Sequence, residues 1–164
     1  VRDSRINMIY EGTNTVQSLD LLGRKVLGNQ GATLKKFGAM LEDFAETCEG
    51  NEAMQEFIGP LLKAAELWST LTFEIGSAAT KTPELVGAAA VDYMRIAGHT
   101  VFAFWFAKMA KVALEKQNSG DNFYAAKLQT ARFYYAKLLP EIESCAITAR
   151  AGLAPLMDTE LALA

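Results

Sequence analysis

From Tyr124 to Ala149, apolar residues return in alternating steps of four and three: Tyr124, Leu128, Ala131, Tyr135, Leu138, Ile142, Cys145 and Ala149. Such a rhythm lays them along one side of a helix and suits packing at a shallow angle against neighbours. A strand would need alternation at every second residue, and no such stretch occurs in the chain. The seam predicts a helix over about 121 to 151, bent at Pro140, with the tail from Pro155 frayed or extended. Upstream the helical period recurs. Val16, Leu19, Leu22 and Val26 predict a helix over about 14 to 27, with Arg24 and Lys25 near its C-terminus, where cations are favoured. Leu34, Phe37, Leu41, Phe44 and Cys48 predict a second over 32 to 49, with Lys35, Lys36, Glu42, Asp43 and Glu46 facing out. Phe57, Leu61, Ala65, Trp68, Thr72 and Ile75 predict a third over 52 to 80, which Pro60 should kink or start late. Thr82-Pro83-Glu84 reads as an N-cap followed by Pro at the first helical position of a fourth helix, 83 to 117. Its centre, Val101 to Phe106, is apolar almost all round, which predicts the most buried helix of the set.

Glycine and asparagine clusters separate these stretches, at Gly28-Asn29-Gln30-Gly31, Gly50-Asn51 and Asn118 to Asn122. The first is the best candidate boundary. The expected fold is all-α: an antiparallel bundle of about four long helices, preceded by one further helix.

A chain of 164 residues can bury a real core, and 51% apolar with 21% charged residues is ordinary for a globular protein. A net charge of −3 gives no footprint for nucleic acid or an anionic membrane. The fourth helix is bracketed by Arg95, His99, Lys108 and Lys111, leaving it short of the ~20 apolar residues a membrane span needs. Two cysteines and one histidine are a poor set for structural zinc. Cys48 and Cys145 fall on apolar stripes and read as small buried hydrophobes rather than a disulfide. His99 reads as a core or interface histidine with one hydrogen-bond partner. Trp68, Trp105, Phe102, Phe104 and Phe106 read as core or subunit interface.

One stretch carries chemistry: Arg2-Asp3-Ser4-Arg5-Ile6-Asn7-Met8-Ile9-Tyr10-Glu11-Gly12-Thr13-Asn14-Thr15-Val16-Gln17. Ile6, Met8 and Ile9 lead apolar side chains up to Glu11. Gly12 allows a close approach by a ligand. Thr13 or Asn14 can cap the helix that follows. Two readings compete. Glu11 is a surface carboxylate favoured by a helix start, or a general base in an apolar pocket, its proton affinity raised by desolvation. Spacing alone does not choose between them.

Arg2-Asp3-x-Arg5-Ile6, then Ile9-Tyr10-Glu11-Gly12-Thr13-Asn14 and Gln17, resembles the C-terminal signature of the acyl-CoA dehydrogenases. The resemblance implies that Glu11 is the catalytic base, removing the α-proton of an acyl-CoA thioester while the β-hydrogen leaves as hydride to FAD. Gly12 would lie against the thioester, and Thr13, Asn14 and Thr15 along the flavin nucleotide. The enolate forming at the thioester needs donors aimed at its oxygen. The resemblance implies the Glu11 backbone N–H as one and a ribityl hydroxyl as the other. It also implies electron-transfer flavoprotein as electron acceptor, a homodimer or homotetramer, a cytoplasmic setting and a role in fatty-acid β-oxidation. Residues 1–28 would end the catalytic C-terminal domain. Residues 29–164 would be the extra helical bundle of the larger bacterial members, a likeness resting on position, length and helical pattern. In that light the aromatic residues named above could instead line an acyl-chain or flavin pocket.

Val1-Arg2-Asp3 opens inside a motif and without an initiating Met. The chain is therefore expected to be a piece of a longer protein, lacking most of the flavin site and inactive alone. Two other readings remain open at this point. The helices could serve as an oligomerisation or interaction module, or the chain could resemble the DNA-binding alkylation-response relatives. The acidic balance argues against the latter.

Overall fold

The computed structural model describes residues 5–6, 13–119 and 122–157. Among the described residues the structure is helical throughout, with no strand. The elements are α1 (Asn14–Leu19), a wider π-helical segment (Asp20–Val26) and a 3₁₀ turn (Leu27–Asn29); then α2 (Ala32–Glu46), α3 (Gln55–Ala79), α4 (Leu85–Lys116), α5 (Asn122–Lys137), α6 (Glu141–Arg150) and α7 (Ala154–Met157). The all-α expectation holds.

The bundle is built around α4. Its buried face carries Ala90, Tyr93, Ile96, Ala97, Thr100, Ala103, Phe104 and Ala107. Small residues there let α3, α5 and α6 approach closely. A short turn over 80–84 joins α3 to α4, so the two run antiparallel, tied where Thr72 Oγ1 and the Tyr93 hydroxyl meet at 2.8 Å. Thr72 spends its own proton on the Trp68 carbonyl at 2.7 Å, so Tyr93 is the donor to it. On the other side, the Tyr135 hydroxyl donates to the Ala103 carbonyl at 2.8 Å. Lys116 lies over the Tyr124 ring at one end of the α4 and α5–α6 packing, and Arg95 stands 3.5 Å from Glu141 toward the other. The order of these pairs makes α4 antiparallel to α5 and α6. α2 closes one edge through Phe37, edge-on to both Trp68 and Phe104, and Phe44, edge-on to Phe104.

Two ion pairs set α3 beside α5 and α6. Arg132 Nη2 lies 2.7 Å from Glu56 Oε1, and Arg150 Nε lies 2.7 Å from Glu74 Oε2, each pair 76 residues apart in sequence.

Several expectations are corrected. Val16 and Leu19 are exposed at 65% and 42%, while Leu22 and Val26 are buried. Ser18 is the buried residue of α1, and Val16 stands ~200° around the helix from it. The π segment then keeps Leu22 and Val26, one residue in four, turned to the core. Its end is a left-handed pair, Gln30 (φ 56) and Gly31 (φ 74), whose N–H groups reach back to Leu27 and Val26 carbonyls. Pro60 neither delays α3 nor stands at its start; it sits six residues in, exposed, and removes one donor. The helix from 121 to 151 is two helices. Pro140 has no N–H, and Leu138 and Leu139 both donate to the Tyr134 carbonyl, at 2.9 and 3.0 Å, closing α5. Leu138 is consequently exposed, and Leu139 enters the core in its place. Thr82 makes no side-chain cap; its carbonyl accepts from Leu85 N–H at 3.1 Å, and α4 begins at Leu85. Pro155 lies inside the short α7. Finally, α4 does carry the most buried residues, but Phe102 and Trp105 are exposed at 59% and 56%.

Candidate functional site

Glu11 and Gly12 lie outside the described residues. Thr13, Asn14 and Thr15 are described, consecutive and exposed. Thr13 stands at the N-cap of α1 with helical backbone angles, and its carbonyl accepts from Gln17 N–H at 2.9 Å. Its side chain makes no capping hydrogen bond. The Thr15 carbonyl accepts from the buried Ser18 hydroxyl at 2.8 Å. That bond satisfies Ser18 without using the Thr15 side chain. Two hydroxyls and one carboxamide therefore stand together in water at the entry to a helix. Each can donate and accept hydrogen bonds.

Downstream, Asp20 receives Arg24 Nε in a close contact and Lys25 Nζ at 3.0 Å. The Arg24 bond, then the Lys25 bond, holds the Asp20 carboxyl below its usual range.

A groove of about 950 Å³ lies between α2 and α3, with Leu34, Phe37, Leu62, Trp68, Phe73 and Gly76 among its walls. Sequence reading missed it. Its trace was two large apolar residues of α3 off the predicted core line, Leu62 and Phe73. Trp68 Nε1 is buried and makes no hydrogen bond of good geometry among the described residues. Burial pushes the adjacent Tyr93 phenol up, against the lowering effects of Thr72 and then of the nearby Trp68 indole.

A polar cluster ties α4 to α5 and α6. The Tyr134 hydroxyl donates to the His99 carbonyl at 3.0 Å and so accepts from His99 Nδ1–H at 2.9 Å. His99 Nε2 then faces Glu141 Oε2 at 3.6 Å. His99 is thus the half-buried, bonded histidine expected, with Glu141 as an additional neighbour. Burial pushes the Tyr134 phenol up to about 12, with Glu141 adding to it, and pushes Tyr135 up further. Cys48 and Cys145 are free and buried, and the Cys145 thiol is raised, first by burial. Among the described residues no group of three or more His, Cys, Asp or Glu could hold a metal ion. Nor is any described helix long and apolar enough to cross a membrane.

A family model described as acetyl-CoA dehydrogenase C-terminal like matches residues 37–160. The 3-methylmercaptopropionyl-CoA dehydrogenase of Ruegeria pomeroyi is 31% identical over 144 residues, which are 85% of this chain and 24% of that protein. A broad-specificity linear acyl-CoA dehydrogenase, FadE5, of Mycobacterium tuberculosis is 26% identical over 155 residues, 88% of this chain and 25% of that one. A butyryl-CoA dehydrogenase of Syntrophomonas wolfei is 29% identical over 147 residues, 86% of this chain and 24% of that one. The chain spans about a quarter of the length of the curated relatives it matches. On this agreement of profile, relatives and helical architecture, the chain belongs to the acyl-CoA dehydrogenase family, in its acetyl-CoA dehydrogenase C-terminal-like part.

Proposed function

We propose that this chain is the C-terminal part of an FAD-dependent acyl-CoA dehydrogenase, converting an acyl-CoA thioester to its 2-enoyl-CoA. The observation that carries the reading is Tyr10-Glu11-Gly12-Thr13-Asn14, in a chain whose residues 37–160 match the family. Glu11 takes the α-proton. Gly12, without a side chain, lets the thioester come close to the backbone. The Glu11 N–H serves as one donor to the thioester oxygen as charge builds there. Thr13, Asn14 and Thr15 offer hydrogen bonds to the flavin nucleotide; their exposure at the start of α1 supports that assignment. The flavin, when bound, supplies the hydride-accepting chemistry.

On this reading residues 1–28 complete the catalytic domain and residues 29–164 form its extension. The chain alone is inactive, electron-transfer flavoprotein takes the electrons, the whole protein is a cytoplasmic homo-oligomer, and its place is fatty-acid β-oxidation. The test is anaerobic titration of the full-length parent with a panel of acyl-CoAs, following flavin absorbance. Bleaching by one class names the substrate. Glu11→Gln should keep acyl-CoA binding and abolish bleaching. Retained bleaching would remove Glu11 from the role of base.

A further inference from the structure

α1 and the π segment after it form one rod with two sides. Ser18, Leu22 and Val26 lie on the inner side, buried, and recur at steps of four. Thr13, Asn14, Thr15, Val16 and Leu19 lie on the outer side, exposed. A plain α-helix does not divide them this way. At ~100° per residue, counting back seven residues from Val26 gives ~700° and counting back eleven gives ~1,100°. Leu19 and Thr15 would then both return to within ~20° of Val26, and Ser18 would stand ~80° aside. The π-helical stretch Asp20–Val26 takes an extra residue into its wider turns. That residue turns Ser18 inward and sends Leu19 and Thr15 outward. Lys25 Nζ reaches Asp20, five residues back, at 3.0 Å, which fits the wider turn. Such turns are rare and are found frequently at functional sites.

The inner side belongs to the bundle. α1 and the π segment both pack on α4. A Cβ added at Gly23 would stand 3.7 Å from Val86 Cγ1 of α4, and one added at Gly76 of α3 would stand 3.0 Å from Leu27 Cδ2. Leu22 and Val26 share one hydrophobic core with the buried residues of α2 to α6. The outer side starts at the candidate site, since only Gly12 separates Glu11 from Thr13.

We propose that Leu22 and Val26 are positioning residues of that site. Seated in the bundle, they set the rotation at which Thr13, Asn14 and Thr15 are presented, so the helical extension aligns the flavin-binding edge of the catalytic domain. Neither residue is part of that edge; each acts through the backbone of α1. The proposal rests on the flavin reading of Thr13 to Thr15 given above.

The test uses the full-length parent and FAD. Leu22→Ala opens a hole beneath the rod. Phe57→Ala removes a larger side chain from the same core, nineteen residues and ~28 Å along α3 from Gly76. Leu22→Ala should raise the FAD dissociation constant about tenfold or more and quicken amide hydrogen exchange across residues 13–19. Phe57→Ala should change both by less than about twofold, although it lowers the melting temperature at least as far. Leu22→Met, which conserves volume, should restore both. Val26→Ala, a smaller truncation, should act in the same direction as Leu22→Ala, and unaltered circular dichroism would show that each variant folds. FAD binding unmoved by Leu22→Ala, or moved equally by Phe57→Ala, overturns the proposal. The underlying reading is tested separately by Thr13→Val combined with Asn14→Ala. If that pair weakens FAD binding and Leu22→Ala does not, the reading stands and the positioning role falls. If neither weakens it, both fall.

Discussion

The Tyr134 hydroxyl lies 3.0 Å from the main-chain oxygen of His99 and 2.9 Å from Nδ1 of the same residue, so one side chain of α5 grips both ends of one residue of α4. Around it Phe106 stacks on the Tyr134 ring at 4.4 Å. Tyr134→Phe keeps the stack and loses both hydrogen bonds. It should lower stability by about 1–3 kcal/mol, read as a shifted urea midpoint with an unchanged slope. A midpoint within error of the parent would mean that the cluster contributes nothing net.

The same burial sets a response to alkali. The Tyr134 phenol moves from the usual 10.0 to about 12, through burial first and Glu141 second. The folded chain therefore holds this proton longer than the unfolded chain does. Its contribution is fully present below pH 10 and is lost as pH rises through about 12. Tyr93 and Tyr135 shift the same way. Urea midpoints should fall across that window, and Tyr134→Phe should fall less steeply. A flat midpoint through the window contradicts the assignment.

Phe57 is fully buried on α3, edge-on to Tyr135 at 5.2 Å. Phe57→Ala removes an aromatic core ring and should cost about 3–5 kcal/mol, whereas truncating the exposed Phe73 to Ala should stay within ~0.5 kcal/mol. Thermal unfolding of the two variants side by side checks the contrast.

Glycines on α2 and α3 should split by environment. A Cβ at Gly38 meets nothing within 4 Å, while one at Gly76 would stand 3.0 Å from Leu27 Cδ2. Gly38→Ala should stabilise by about 0.5–1 kcal/mol through helix propensity. Gly76→Ala should gain less or lose stability, because Leu27 must move. Equal gains at both sites would show that Leu27 yields freely.

Much of this fold was legible in residue spacing. The seam from Tyr124 to Ala149 identified six of the eight buried positions of α5 and α6 and missed Tyr134 and Ala146, which sit one residue beside it; burial against a neighbouring helix is what fixes such spacing. It failed at Leu138. A proline break changes the register locally, and Leu139 serves equally well in the core. Val16 and Leu19 failed for a related reason: the π segment after α1 changes the turn angle, which no hydrophobic pattern announces. Val101 to Phe106 is apolar almost all round, and α4 does carry the most buried residues; the pattern is silent about how many faces this chain covers, and Phe102 and Trp105 stay exposed. As for the site, Tyr10-Glu11-Gly12-Thr13 was recognisable as a motif, and the structure places only its last members, Thr13 to Thr15. The groove between α2 and α3 was not anticipated, since its walls come from residues that also pass for ordinary half-buried helix positions.

Glu56 and Glu74 are separated by eighteen residues of unbroken helix, five full turns and ~27 Å, yet Arg132 and Arg150 span the same interval across a proline break. The break at Pro140 is thus length-neutral: it alters direction without altering count. The two ion pairs act as gauge marks on that count. Removing one residue from the 138–140 turn would swing α6 by ~100° and carry Arg150 off Glu74, leaving Arg132 in place. The join tolerates a change of residue type far better than a change of length.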